Sequence, residues 1–527
     1  MGYVKGENRF QMQLACLDDQ VAADSVARFI DYFIDTMDME ALGFTNAVTK
    51  RLGRHPYDPA CLAKLLVYGY ERKARSSRKL EGLTHDSMET MWLMGGLKPD
   101  FKTIADFRKD NLGPLEGLFA EYNEFAVFCS LFGKERVAID GTKIKAWNNR
   151  KNNYSKGKLE KGIEYSGQRI KEYMALLDES DEEDDACEAW ETAATENIEE
   201  EKAAEKAERK NSIEGKIKEH EKRIETKKAW LDAIDAAGAN EISTVDPDAR
   251  LMGNNSSGVD VAYNVQAAVD GKAHLVAAFD ISQNPTDHGQ LANMTEKAQA
   301  ALGENGLTVL ADKGYYGGEE IEKAEKLGPG LLVVARQMKP GEKDGSKYSL
   351  DKFVYDNERD EYICPEGNAL PAHSKKTTKD RNFFDKAACA ACPARGECLN
   401  KERFRRIVRR SHNDALDRAD RRHAENPEEY KYRQQIVEHV FGTVKRTMEG
   451  GYFLLRTKEK ARAEAALLFL GYNIKRTIGC LGFGEAMELL DWYREKLIRE
   501  GKSFVFYFFM PVFAFQPAVK IFTARLA

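Results

Sequence analysis

Apolar positions recur at helical spacing through the first 130 residues. VARFIDYFID, PACLAKLLVYGYERK and MWLMGGL each bring them back once per turn, and Pro59 stands where a helix would begin. At residue 135 the pattern changes. ERVAID is a short β-branched run ending in an acid, the expected form of a buried strand with Asp140 at its carboxyl end. A long polar interruption follows. Ile163, Ile170, Tyr173 and Leu177, then Ile213, Ile217, Ile224, Leu231 and Ile234, return at steps of three, four and seven, the seam of a coiled-coil hairpin. Strands resume near residue 258: YNVQAAVD and HLVAAFDIS flank the turn Asp270-Gly271-Lys272-Ala273, a hairpin signal. A helix from about Pro285 to Leu302, the strand LTVLAD, the helix GGEEIEKAEKL and the strand GLLVVARQM come next. That order predicts an α/β fold with a mixed sheet. Residues 340–400 break it, and residues 414–500 return to helical spacing.

With 527 residues the chain exceeds one hydrophobic core. The expected divisions are a helical N-terminal domain over 1–130, a core made of 131–154 and 251–340, and a coiled-coil insertion over 155–250. A cysteine-rich insertion over 341–412, a helical part over 413–500 and an apolar tail over 501–527 complete them. The tail contains FVFYFFMPVFAF, broken by Pro511 and too short to cross a bilayer. No apolar leader opens the sequence, so a cytoplasmic protein without a membrane partner is expected.

The net charge of −6 at first argues against a nucleic-acid partner. Residues 178–208, however, hold 15 Asp and Glu against two Lys; removing that −13 leaves +7 on the rest of the chain. A basic body is therefore compatible with DNA. YGYERKARSSRKLE sets Arg72, Lys73, Arg75, Arg78 and Lys79 close together. This is either a solvated helix face or a surface for phosphates, since such clusters supply most sequence-independent DNA affinity.

In open α/β sheets, functional groups gather at the carboxyl ends of strands. Asp140 and Asp312 end the runs RVAID and LTVLAD. Asp270 precedes a glycine in a turn that explains it, and Asp280 is expected to face solvent. On the helix RQQIVEHVFGTVKRTME, at about 100° per residue, Gly442 and Lys445 fall within about 40° of Glu438. Ile436, Val437, Val440, Val444 and Met448 occupy the opposite side. A surface helix with a charged face also fits this pattern, but leaves a glycine in the middle of the polar face unexplained. Three carboxylates from separate segments suit a two-metal phosphoryl-transfer site, because Mg²⁺ takes oxygen ligands and two ions can serve both reacting oxygens.

AIDGTKIKA around Asp140, YNVQAAVD with TDHGQL, LADKGYYG around Asp312 and VEHVFGTVKR around Glu438 together resemble the DDE transposases of bacterial insertion sequences. TIADFRKDN (103–111) and YNIKR (472–476) fit the same habit. The resemblance implies a ribonuclease-H-like, retroviral-integrase-like catalytic core with helical and cysteine-rich additions. It implies Asp140, Asp312 and Glu438 as the catalytic acids, holding two Mg²⁺ or Mn²⁺ ions. It also implies DNA contacts from Lys143, Lys145, Arg433, Lys445 and Arg446, beside those expected of Arg75, Arg78 and Lys79. The partners implied are the element's terminal repeats and a target DNA, met as a homodimer or larger assembly on the nucleoid, with the hairpin as a candidate contact between copies. Arg433 stands five residues before Glu438, where the family's habit is four. Rival readings are a related nuclease that cuts without joining, and a DNA-binding protein without catalysis.

Cys364, Cys389, Cys392 and Cys398 occur as YICPEGN and CAACPARGEC. They supply either the four thiolates of a structural Zn²⁺ site or four reduced cysteines in a loop-rich insert. Nine cysteines in all are too few for a disulfide scaffold.

Overall fold

A computed structural model describes residues 16–48, 55–188, 196–254 except 237 and 239, 258–338, 342, 345–374, 380–399 and 402–501. The tail from 502 onward, on which the reading of an apolar tail falls, lies outside the described residues.

Among the described residues, six α-helices come first: α1 (Val26–Asp35), α2 (Pro59–Glu71), α3 (Ser77–Asp86), α4 (Met88–Leu93), α5 (Phe101–Asp110) and α6 (Leu112–Phe128). Local chemistry starts most of them. Ser25, Asp58, Ser76, Ser87 and Asp100 each accept a hydrogen bond from an orphan N–H of the first turn, and Pro59 fills the first position of α2.

The core strands are β1 (Arg136–Lys145), then, beyond the hairpin, β4 (Arg250–Asn254), β5 (Gly258–Asp270), β6 (Val276–Ser282), β7 (Thr308–Ala311) and β8 (Leu331–Val334). A short ladder of β2 (Asn153–Ser155) and β3 (Glu241–Ser243) roots the hairpin of α7 (Lys156–Glu188) and α8 (Glu196–Ala236). Helices α9 (Leu291–Leu302) and α10 (Gly318–Lys326) connect the later strands. The sheet runs β4-β5-β1-β7-β8, with β6 sharing the outer edge of β5. β1, β5 and β6 are antiparallel, whereas β1, β7 and β8 are parallel.

The insertion carries a three-stranded sheet of β9 (Val354–Asp356), β10 (Glu361–Ile363) and β11 (Ala369–Pro371). It continues with β12 (Asp380–Phe383), α11 (Lys386–Ala391), α12 (Arg395–Cys398) and β13 (Ile407–Arg410), which pairs with β12. Four helices follow: α13 (Asn413–Glu425), α14 (Pro427–Gly442), α15 (Lys458–Leu481) and α16 (Phe483–Arg499).

Side chains alternate across β1 as the two-residue period demands. Val137 and Ile139 join a core with α9, α10 and α13, while Ala138 and Ile144 join one with α14 and α15. The second core is continuous with α1, α2 and α6, so the described residues up to 130 share their core with the later helices.

Three expectations differ from the structure. α9 begins at Leu291 rather than near Pro285, because the preceding loop spends its polar groups on the site described below. The helices of the hairpin run on into the acidic segment, to Glu188 and from Glu196, so the connector is shorter than expected. Asp280 is turned inward, accepting hydrogen bonds from Lys297 and from Asn293 at 2.9 Å, because α9 lies across its strand.

Candidate active site

The parallel ladder between β1 and β7 ends at the pair Ile139 and Ala311. The next residues on the two strands are Asp140 and Asp312, which therefore stand side by side where β7 stops. The expected strand end at Asp140 is an end of this ladder only. β1 itself continues to Lys145, because β5 goes on pairing with it through Ala262.

Backbone and side-chain donors fix both acids. Asp140 Oδ1 accepts from the N–H of Gly141 at 2.8 Å, and its Oδ2 from Arg433 Nη1 at 3.2 Å. Asp312 caps a short 3-10 turn, Lys313–Tyr315, by accepting from the N–H of Gly314 at 2.7 Å.

A third carboxylate joins them. Asp287, in TDHGQL, accepts through Oδ1 from Asn264 Nδ2 and Gln266 Nε2, both at 2.8 Å, with Lys143 Nζ at 3.6 Å. Gln266 in turn accepts from the hydroxyl of the buried Tyr315. Two glycines make this closeness feasible. A Cβ on Gly141 would fall 2.3 Å from Asp287 Oδ1, and one on Gly314 would fall 2.9 Å from Asp312 Oδ1 and 3.0 Å from Asp287 Oδ2. The backbone at these two positions leaves the space that the acids occupy.

The electrostatics follow from this crowding. Burial pushes the Asp140 carboxyl up to about 6; Arg433 opposes the rise, and the like charges of Asp312 and Asp287 add to it. Lys445 is half-buried nearby. Desolvation and Lys143 lower its pKa, while Asp140 raises it. Three acids thus share a crevice with Arg433, Lys143 and Lys445, and like-charge repulsion at Asp140 is what a divalent cation would relieve. Among the described residues, no three carboxylate, thiol or imidazole groups already stand close enough to enclose an ion. Mg²⁺ sites commonly leave several positions to water and substrate phosphates, so this geometry accommodates one.

On α14, Ile436, Val437, Val440, Val444 and Met448 are all buried, as the apolar side of the wheel predicts. Glu438 is exposed. Arg433 stands about 140° around the helix from it and is buried against Asp140, so it serves this carboxylate rather than an open surface. Lys445 and Arg446 lie in a π-helical turn, Thr443–Thr447, a distortion frequent at functional sites. His439, beside Glu438, is engaged with the Tyr472 hydroxyl at 2.9 Å.

The expected DNA contacts divide. Arg78 and Lys79 are exposed, and Arg78 lies over the Phe101 ring. Lys145 is half-exposed and paired with Asp260 at 3.1 Å. Arg75 departs from expectation. It is 2% exposed, donating to the carbonyl of Tyr452 at 2.8 Å and to Glu464 at 3.1 Å, so it cannot reach a DNA backbone. Spacing alone could not distinguish it from its exposed neighbours.

Asp287 went unrecognised in the sequence because it ends no strand and occupies no helical face. Its signal was the motif TDHGQL, of which Thr286 to Gln290 lie in the polar loop between two periodic segments.

Residues 363–478 match the family described as Transposase DDE domain, and residues 15–110 match the Transposase domain (DUF772). The first segment contains Glu438, Lys445 and all four cysteines of the insertion; the second contains Arg75, Arg78 and Lys79. Both families are transposase families, and together they support an insertion-sequence DDE transposase. A DDE domain implies a ribonuclease-H-like fold, with which the mixed sheet agrees. No curated protein and no solved structure matches the chain.

Proposed function

We propose that this chain, an insertion-sequence DDE transposase by the two families it matches, binds the terminal inverted repeats of its own element, cleaves them and joins them to a target. The observation that carries this reading is the register of β1 and β7, which sets Asp140 beside Asp312 where the ladder opens. Asp140 and Asp312, with Glu438 from α14, are the residues that would hold two Mg²⁺ or Mn²⁺ ions. When bound, such ions lower the cost of generating an oxygen nucleophile and stabilise the leaving oxygen of an in-line displacement.

The chain's own groups do the rest. Arg433 orients Asp140 and opposes, without cancelling, the rise of its carboxyl. Lys445 and Lys143 bring positive charge to the crevice for the scissile phosphate, and the exposed Arg446 continues it outward. Lys145 extends the same strand toward the DNA. Hydrolysis frees a 3′-hydroxyl and strand transfer consumes it, and both are displacements at phosphorus, so one set of acids serves both. Arg78 and Lys79 supply backbone contacts away from the centre. Cutting and joining two ends in one complex calls for a homodimer or larger assembly.

The test is cleavage and strand transfer on labelled DNA carrying the element's ends, with Mg²⁺ or Mn²⁺. Asp140→Asn, Asp312→Asn and Glu438→Gln are each expected to lose at least a thousandfold in rate while still binding the DNA. Survival of activity in any one removes that residue from the centre. Nicking without joining would indicate a nuclease instead.

A further inference from the structure

The catalytic chemistry makes no use of the cysteine-rich insertion, yet two of its features converge. Its core is small: Phe353, Tyr362, Leu370, Phe383 and Ile407, with Cys364, Cys389 and Cys398 packed against them. So few buried apolar groups hold a segment of this length poorly without a staple. All four cysteines, reduced, line one cavity of about 30 Å³ together with Arg395 and Arg405. The loop after Cys364 is shaped around its sulfur. Gly367, at φ +78°, closes the turn by donating to the Cys364 carbonyl at 2.9 Å, and the N–H of Asn368 donates to Cys364 Sγ at 3.3 Å. Hydrogen bonds of this kind from the surrounding backbone orient the ligands of a metal site. The four thiols do not yet enclose a point at coordinating distance, so they would rotate inward on an ion.

The second feature is charge. Residues 375–410 hold 12 Lys and Arg against four Asp and Glu. Several of these cations are committed elsewhere: Arg381 to Asp360, Arg409 to Asp414 and Asp417. Arg395, Arg403, Arg406 and Arg410 are exposed and make no ion pair among the described residues. The insertion reaches the element that follows Asp312, since His412, just past β13, lies against Gly318, the first residue of α10.

We propose that the insertion is a zinc-stapled DNA-contacting module. Cys364, Cys389, Cys392 and Cys398 hold one structural Zn²⁺, and the fold it secures presents Arg395, Arg403, Arg406 and Arg410 to the DNA backbone beside the active site. Four thiolates complete a tetrahedral shell and leave no open position, so this ion takes no part in catalysis. Its hold on the thiolates adds directly to the stability of the segment. The DNA half rests on the transposase reading; the zinc half does not.

Metal analysis of the full-length protein is expected to give one zinc per chain, falling below a tenth in Cys389→Ser/Cys392→Ser. Co²⁺ exchanged into the wild type should show the charge-transfer and intense d–d bands of a tetrahedral thiolate site. Affinity for a random-sequence duplex is then followed against salt. Arg403→Gln/Arg406→Gln/Arg410→Gln should flatten the log–log slope by about 2–3, at about 0.9 per phosphate contact, with zinc content unchanged. The double cysteine variant should show the same flattening. A metal-free wild type, or zinc retained in the cysteine variant, overturns the zinc site. An unchanged slope in the arginine variant overturns the DNA role and leaves the transposase reading standing on the remaining affinity. A wild type without DNA affinity sinks both.

Discussion

Asp140 sits in surroundings that favour its proton. Its carboxyl is raised to about 6 by burial, despite Arg433. Between about pH 4 and pH 6 the folded protein therefore keeps a proton that the unfolded chain has released, and metal-free stability falls as pH rises through that window. A shift of about two units, already net of the opposing Arg433 charge, corresponds to about 3 kcal/mol. In EDTA at pH 7.5, Asp140→Asn is expected to melt a few degrees above the wild type, with the gap closing near pH 4. A lower melting temperature for the variant at pH 7.5 would refute the argument. The placement of the two acids at the ends of β-branched runs was legible in the sequence, although the same pattern also ends at Asp270, whose carboxylate serves a turn instead. Arg433 was legible as a residue but not in its role: whether a basic side chain meets a phosphate or a carboxylate depends on what packs opposite, and only the register of β1 supplies that. Arg75 is the same case in reverse, a member of a basic cluster turned inward by α15.

The hairpin illustrates what periodicity reads well and what it reads poorly. Its seam was legible: Ile213, Ile217 and Ile234 are buried in it, and Tyr173 packs against His220 of the facing helix. Its length was not, because an acidic run rich in Glu, Ala and Lys reads as a solvated connector, although those residues are strong helix formers. The root is closed by its own ladder, which pairs Ser155 with Glu241. Replacing residues 156–240 by a short Gly-Ser turn should thus leave the thermal transition of the core within a few degrees. The same variant is expected to lose the assembly that brings two DNA ends together, read by sedimentation of protein with end DNA. Unchanged assembly would count against the hairpin as the contact between copies.

At the scale of the molecule, one buried ion pair ties the N-terminal helices to the catalytic half. Glu464 is fully buried on α15 and accepts from Arg75 and from the N–H groups of Leu454 and Leu455, at 2.9 and 3.1 Å. Removing one partner of such a pair strands the other, at a cost of about 3–5 kcal/mol. Glu464→Gln is expected to lower urea stability by about that much, and Arg75→Met/Glu464→Leu to recover most of it. A single variant as stable as the wild type would show the pair to be dispensable. The order of strands and helices was legible from period and turn residues, but the shared core was not, because pairing between residues hundreds of positions apart leaves no local pattern.

That shared core has a consequence in time. α15 supplies Leu467, Leu468, Phe469 and Leu470 to the face of the sheet that carries Asp140, and it is made about 330 residues after that acid. At about 5–20 residues per second a ribosome needs roughly 15–70 s to cover the interval. Until then the two aspartates belong to a half-covered sheet with an exposed apolar face. A message broken between the codon for Asp312 and those for α15 yields a polypeptide that contains both acids, cannot bury them, and is a substrate for proteolysis before it can meet DNA.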